Sequence, residues 1–492
     1  MGESLGTVNM GRAMGVLSAV LLVLAFATTA AAQAGMNDPP TKVEPPAAPA
    51  PTPTATTEPA PDDAPEAEEE PTKREDTVPE EDEAASSDRI QYRDPLDIDQ
   101  VSMKLKWSNF ISGIRGITHY SFFDNDLRFR LGARFQVDGT LVAPSDKLEA
   151  ALGPMSDGLD ARRFRIFAEG IFKQMYFRVE FDFAADAGFK SAYLEGRKGG
   201  IEIWGKLIGK FRYGLFQEPF SLEENMSAWD TSFIEISMPI NTIAPGANLG
   251  AMVYDASRNR RFTWAFGLFS WGQEQADNAS VSLFSLTGRV GFQPIKYNNK
   301  KTKIHVGMSF SSRSPTSNKV RYETRPEARF VRPFADTGDV ESNRNTLLGL
   351  EAAWRNGSRW AQAEWIRAET ETTDRKAHFG GYSLQAGYFL TGYRRPWDSL
   401  SGVWGRVLPP QNYRGGNPFK KKNGGLWEVA ARYSYVDLDD GNVQGGVVRD
   451  VTAGVNWYPN ATSKIQFNWI YSNVEDLGHA NIWVVRYQYA IK

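Results

Sequence analysis

Leu127 to Gly139 reads LRFRLGARFQVDG, and its alternation decides the fold. Leu127, Phe129, Leu131, Ala133, Phe135 and Val137 fall on one face, and Arg128, Arg130, Arg134, Gln136 and Asp138 on the other. A period of two belongs to a strand, not a helix. Met175 to Phe183 repeats it, with Phe177, Val179, Phe181 and Phe183 opposed to Tyr176, Arg178, Glu180 and Asp182. Near the end, KIQFNWIYSN (464–473) and NIWVVRYQYAI (481–491) do the same, with aromatics dominating the apolar face. A soluble sandwich also alternates, but it buries its apolar face in a dry core and averages about five or six residues per strand. The segments here approach the roughly 9 to 11 residues of a tilted membrane strand. Aromatics gather near segment ends, as at Trp457-Tyr458 and Trp469 to Tyr471, which suits girdles at a membrane interface.

Working outward, alternating segments fall near 127–139, 161–170, 175–183, 189–196, 201–216, 248–256, 262–271, 283–293, 303–312, 345–355, 359–370, 379–391, 425–438, 447–457, 464–474 and 481–491. The expected fold is therefore all-β, a 16-stranded antiparallel transmembrane β-barrel, with 18 strands as the alternative and a disordered arm in front. An even count returns both ends to one rim, and a barrel of this size leaves a water-filled lumen. RKGG (197–200), RNG (355–357) and YPNATS (458–463) suit the short turns of that rim. Residues 392–424 do not: by this count they form a long basic excursion on the periplasmic side, unless a strand is misplaced.

The chain has 492 residues and a net charge of -3, which hides a division. Residues 36–88 hold 16 Asp/Glu against three Lys/Arg, residues 1–35 cancel, and residues 89–492 are left at +10. Gly15 to Ala27 is an apolar run behind Arg12, followed by the small residues TTAAAQA (28–34). This reads as a secretory signal peptide over 1–32; the run is shorter than the roughly 20 residues of a membrane-spanning helix, which disfavours the alternative of a retained anchor. Residues 33–88 read as a Pro- and acid-rich disordered periplasmic linker, with 12 of the 27 prolines between 36 and 88, because such a stretch buries too little apolar surface to offset its ordering entropy. Residues 89–126 form a periplasmic lead-in and 127–492 the barrel. Cysteine is absent and His119, His305, His378 and His479 stand far apart, so thiolate, iron–sulfur and common zinc chemistry are excluded and no metal or cofactor is expected. Mean hydropathy of -0.43 is too low for a helical membrane protein.

Arginines on strands whose other face is apolar cannot point into lipid, where each costs about 2–4 kcal/mol at the midplane. They must line water, where a guanidinium ladder concentrates anions and repels cations. The set comprises Arg128, Arg130, Arg134, Arg162, Arg163, Arg165 and Arg178; the bland alternative has several of them pairing with Glu169, Glu180 and Asp182 as scaffolding. Arg162 has lipid-side parity, which places it at a strand end or on the rim.

From Ser102 on, the chain resembles the phosphate-selective porins O and P, through SMKLKW (102–107), LRFRLGARFQVDG (127–139), ARRFRIFAEG (161–170), YFRVEFDFA (176–184), GLFQEPFSLEE (214–224), PGANLGAMV (245–253), YFLTGYRRPW (388–397), WEVAARYSYVDLDDG (427–441) and GVNWYPN (454–460). The resemblance implies a trimeric outer-membrane channel for small anions in a Gram-negative bacterium. Arg134 and the Arg162-Arg163 pair then match the anion ladder, and Lys104 and Lys106 the lysines of a periplasmic vestibule. It also implies that the loop from Gln217 to Ala247 folds inward as a constriction, carrying Ser221, Glu223, Glu224 and Ser227. Glu224 stands where phosphate-selective relatives carry a lysine, and an acid there opposes phosphate. Glu223, Glu224, Asp230 and Glu235 are close enough in sequence to suggest a glycosidase-type carboxylate pair, but acids clustered on a long loop are more simply solvated, and no catalytic residue is expected. The expected partners are the lipid bilayer of the outer membrane, two further copies in a homotrimer, permeant small anions and, through the arm, peptidoglycan or another envelope component; nucleic acid is excluded. The competing reading is a structural protein whose arm tethers the envelope and whose barrel is closed or weakly conducting.

Overall fold

The computed structural model describes residues 119–491 except 123–126, 185–186, 197–200, 204–205, 273–281, 295–300, 316–317, 374, 411, 414–417 and 419–423. The signal peptide, the arm, Lys104 and Lys106 lie outside the described residues. Sixteen strands form one antiparallel sheet. They are β1 (Leu127–Pro144), β2 (Gly158–Phe172), β3 (Met175–Asp182), β4 (Gly188–Gly196), β5 (Lys210–Gln217), β6 (Ala247–Ala256), β7 (Phe262–Gly272) and β8 (Ser282–Phe292). They continue with β9 (Thr302–Pro315), β10 (Arg344–Asn356), β11 (Arg359–Glu371), β12 (Lys376–Phe389), β13 (Leu426–Asp440), β14 (Val443–Tyr458), β15 (Ser463–Val474) and β16 (Gly478–Ile491). Each pairs with its neighbour in sequence, and β16 closes the barrel on β1 with Ile491 opposite Ala133 and Ala480 opposite Pro144. Closure leaves no sheet edge unpaired, the condition for strands to cross a bilayer. The short strand His119–Phe122 pairs with the first residues of β1, beyond the end of β16.

The outer face follows from the alternation: Phe135, Leu141, Phe164, Leu268, Met308, Leu350, Leu384 and Val485 are exposed there. The inner face holds Arg134, Gln136, Asp138, Thr140, Gln466, Asn468 and Arg486, all buried. Sixteen strands is the expected number, and eighteen is overturned. The expected segment 201–216 is corrected, because only Lys210–Gln217 joins the barrel while Ile201–Ile203 pairs with Lys206–Ile208 in a separate two-stranded ribbon. Positive φ at Gly209 (66°) and Gly214 (132°) marks where the chain enters β5 and closes on β4. A Cβ at Gly214 would lie 2.2 Å from the Ala192 carbonyl oxygen, so only glycine fits there.

Three connections turn into the barrel. From the far rim, where α1 (Asp146–Leu152) joins β1 to β2, residues 218–246 carry α2 (Met238–Ile243), and residues 318–343 pack Tyr322, Val331 and Phe334 into the same apolar cluster as Ile366, Phe379, Val436 and Ile470 from the inner wall. From the rim that carries the chain ends, the excursion after β12 brings in Trp397, Val403 and Trp404, which cluster with Trp360 and Phe389. The excursion is real, and no strand was misplaced to create it. Its residues 397–404 lie inside the barrel: Arg289 donates to the carbonyls of Ser401 (2.7 Å) and Gly402 (2.8 Å), and Trp404 Nε1 to Gln362 (2.8 Å). Together these insertions fill much of the lumen beside β9–β15 and leave the open path beside β1–β5.

Candidate functional site

The open path contains a cavity of about 420 Å³ between the β1–β5 wall and the inward loop 218–246. Its basic lining is Arg134, Arg162, Arg163, Arg165, Arg178, Lys190 and Arg212; its acids are Glu180, Glu223, Glu224 and Glu235. Period two alone brings Arg134, Arg163, Arg165 and Arg178 to the inner face. Arg162 arrives by a bulge, since Gln136 pairs with Arg163 but Asp138 pairs with Asp160, so Ala161 and Arg162 together oppose Val137. A bulge resets the alternation and re-aims the side chain. Arg162 is therefore not on the lipid side or the rim; it donates from Nε and Nη2 to the two oxygens of Glu235 at 2.7 and 2.9 Å.

Most of the wall is a lattice of ion pairs. Arg165 donates to Asp182 at 2.7 Å and to Glu180 at 2.9 Å; Arg178 bonds both Glu169 and Glu180; Arg130 donates from Nε to Glu169 at 2.7 Å. The pairing with Glu169, Glu180 and Asp182 that the sequence offered as the alternative is present, and Arg165 and Arg178 also line the cavity. Arg128, at the start of β1, is exposed and away from this cavity, and Arg130 lies outside its lining. Arg134 differs from its neighbours. Its nearest carboxylate oxygen, on Glu180, is 3.5 Å away, its Nε has no partner, and its guanidinium lies 4.9 Å from the Phe167 ring and 5.6 Å from that of Trp229.

The inward loop 218–246 is fastened at three points. At its tip, Ser221 takes a left-handed conformation (φ 63°) that turns successive donors onto one acceptor. Ser221 Oγ (2.6 Å), Leu222 N (2.9 Å) and Glu223 N (2.9 Å) all donate to Glu364 on β11, an anion-binding nest filled by the protein's own carboxylate. Further on, Ser237 N and Oγ hold Glu223 at 3.1 and 2.6 Å. At the wall, Glu235 meets Arg162 and Arg486, and Arg486 also grips Asp138 with two bonds of 2.6 Å. Burial alone would raise the Glu235 carboxyl, but Arg162, Arg486 and Arg163 hold it well below the ordinary carboxylate range. Glu223 and Glu235 are thereby committed to holding the loop. Glu224 has no cation: its carboxylate accepts from the Gln217 side chain, and burial, then the charge of Glu223, push it up to about 7. Ser227 is exposed at the loop and lines the cavity.

Glu364→Ala leaves four buried donors, Gln362 Nε2 (2.8 Å) included, without this acceptor, at about 1–3 kcal/mol each where water cannot replace it. The expected outcome is a detached loop tip, read as higher and noisier single-channel conductance from a barrel that still shows the heat-dependent gel shift of the folded form.

Sequence reasoning passed over Lys190, Arg212, Arg486 and Arg406. Arg486 was visible as the charged member of NIWVVRYQYAI, on the inner face. Arg406 had no local signal, since it is delivered by the excursion. Among the described residues, no group of three or more His, Asp or Glu side chains is arranged to hold a metal ion.

The sequence profile of the phosphate-selective porin O and P family matches residues 129–491. Porin O of Pseudomonas aeruginosa is 26% identical over 398 residues, covering 73% of this chain and 86% of that protein. An uncharacterized protein of Caulobacter vibrioides is 27% identical over 363 residues, covering 69% of this chain and 67% of its own. Among solved structures, the outer-membrane expressed OmpT of Vibrio cholerae aligns with a TM-score of 0.47 at 11% identity over 76% of this chain and 100% of its own. An anion-selective porin from Comamonas acidovorans aligns with a TM-score of 0.45 at 11% identity over 74% of this chain and 100% of its own.

Proposed function

The chain belongs to the phosphate-selective porin O and P family and is an outer-membrane porin; from that premise we propose that it is a passive diffusion channel that prefers small anions. The observation that carries this reading is the cavity lining, where seven basic side chains face four acids. Guanidinium groups suit carboxylate and phosphate because a planar fork bonds two oxygens at once. Selectivity comes from weak, successive holding along the arginine wall, where Arg165 on β2 lies directly opposite Arg134 on β1. The reaction asked of the protein is permeation, and members of the family are channels, so no catalytic step is assigned to Glu223, Glu224, Asp230 or Glu235.

The same proposal extends to the rest of the chain. Residues 1–32 direct export, 33–88 place an acidic arm in the periplasm within reach of peptidoglycan, 89–126 lead to the barrel with Lys104 and Lys106 at its vestibule, and three copies assemble. The filling of the lumen by three inward segments favours one alternative, a barrel that conducts weakly and serves as an envelope tether.

Single-channel conductance under a KCl gradient tests the reading. Stable steps with a reversal potential on the chloride side support it, and block by low phosphate would extend it to phosphate despite Glu224. Cation preference overturns it, and silence from folded protein transfers the assignment to the tether.

Glu224 also gives the channel a pH dependence. No basic side chain compensates it, and Glu223 beside it, Gln217 on β5 and Ser221 in its own turn are the polar groups in contact. Its carboxyl, raised to about 7, is largely neutral at pH 6 and ionised at pH 8. Anion preference is therefore expected to fall by about twofold as pH rises across that interval. Reversal potentials at the two pH values check this, and Glu224→Gln should stay at the low-pH value throughout.

A further inference from the structure

We infer that the cavity beside β1–β5 is a binding site for solutes carrying both an anionic group and a protonated amine, with the anion on Arg134 and the amine on Glu224. This rests on the reading of the barrel as an anion-preferring channel and names the solute class within it.

Two buried charges in the cavity are poorly compensated among the described residues: Arg134, whose one ion pair is a 3.5 Å approach to a Glu180 already bonded by Arg165 and Arg178, and Glu224, which has no ion pair. Arg165, Arg178 and Arg162 are saturated by Asp182, Glu180, Glu169 and Glu235. Arg134 is only 8% exposed, its Nε has no partner, and none of its N–H groups makes a hydrogen bond among the described residues. Two aromatic rings flank the guanidinium and fix its plane without using its donors. A buried donor left unfilled is costly in a finished structure, and an oxyanion supplied from outside removes the cost. On the loop, Glu224 is 9% exposed, accepts from one neutral amide and meets no cation within ion-pair distance among the described residues.

Both side chains line the same cavity, with Phe216, Tyr193 and Met226 in the wall. A weakly compensated cation and an uncompensated carboxylate in one cavity that also has apolar lining match a short hydrocarbon chain with an anion at one end and an ammonium at the other. A simple anion satisfies Arg134 but approaches Glu224 against its charge. An inorganic cation finds Glu224 but must pass the arginine wall. Only a solute with both groups uses both, and its near-zero net charge lets it leave.

Calorimetry on the full chain in detergent tests this without reference to conductance, using ω-amino carboxylates from glycine to 6-aminohexanoate, each against the carboxylate lacking the amine, at pH 8. A purely cationic wall would favour the amine-free partner. We expect at least one amino compound to bind about fivefold or more tighter than its partner, Glu224→Gln to abolish that advantage, and Arg134→Gln to weaken both compounds. Amino compounds binding no better than their partners across the series, or keeping their advantage in Glu224→Gln, overturn the inference. The KCl reversal potential decides the anion-channel reading separately: cation preference sinks that reading, while the calorimetry decides the site.

Discussion

Replacing Arg134 and Arg163 together with glutamate is expected to turn the channel from anion-preferring to cation-preferring. The cavity lining carries seven basic and four acidic side chains, and the double exchange leaves five basic and six acidic. The charge balance of the lining therefore changes sign. A charged lumen with low-dielectric walls changes local ion concentration by roughly tenfold or more, so the permeability ratio should move by about that factor. Both residues are suitable because neither anchors the lattice. Arg163 donates to Gln136 at 2.6 Å and stands 3.8 Å from Glu235, while Arg134 holds no hydrogen bond. Arg165 and Arg178, by contrast, carry the pairs with Asp182, Glu169 and Glu180. The neutral double variant with glutamine should shift the reversal potential the same way by less, and Arg128→Glu, away from the cavity, should shift it far less. An unmoved reversal potential in folded double-glutamate protein would remove the ladder from the account of selectivity.

The contrast between Arg162 and Arg163 shows where sequence reading held and where it failed. Fifteen of the sixteen expected segments coincide with strands because period-two alternation is set by the strand itself and by lipid on one side. Segment 201–216 shares that alternation, yet its first half pairs with itself, and only Gly209 and Gly214 hinted at the change. Parity misplaced Arg162 because a bulge adds one residue without leaving a compositional mark. The adjacent pair was nevertheless a clue, since two neighbouring guanidiniums on a regular strand would put one into lipid. The inward segments were less legible. Only residues 218–246 were expected inside, by family likeness. Yet Val447-Val448 and Trp483-Val484-Val485 break strict alternation by being apolar on both faces, and the buried members, Val448 and Val484, join the apolar cluster that includes the 318–343 segment. An inner face that turns apolar signals a loop packed against it. The cross-strand pairs with Glu169, Glu180 and Asp182 were legible as an alternative, but the ion pairs separated by a hundred residues or more, Arg486 with Asp138 and Arg432 with Glu327, left no trace in local pattern.

Glu327→Ala is expected to have the largest effect on the structure. Glu327 lies on the 318–343 segment in a left-handed conformation (φ 43°), which an unassisted glutamate disfavours. It is held there by Arg432, whose Nε donates at 2.8 Å, by Ser434 (2.6 Å) and Thr452 (2.8 Å) on the barrel wall, and by Met238 N (3.2 Å) of α2. Arg432 is itself completely buried, donates to the Glu235 carbonyl at 2.9 Å and lies 4.3 Å from the Phe233 ring. One pair therefore ties both far-rim insertions to β13 and β14. Removing the carboxylate leaves a buried guanidinium with only the more distant Glu223 carboxylate at 3.6 Å, and breaking a buried pair from one side costs about 3–5 kcal/mol. The barrel's hydrogen-bond ladder does not depend on this pair, so the barrel should survive while 318–343 leaves the lumen. Trypsin should then cut after Arg325, Arg329 or Arg332 faster than it does in the native protein, and conductance and open-channel noise should rise together. Glu327→Gln, which keeps the shape and part of the hydrogen bonding, should fall between the two. Protease resistance equal to the native protein in the alanine variant would mean that the apolar contacts of Tyr322 and Phe334 hold the segment by themselves, and that Glu327 and Arg432 merely neutralise one another within a core closed by packing.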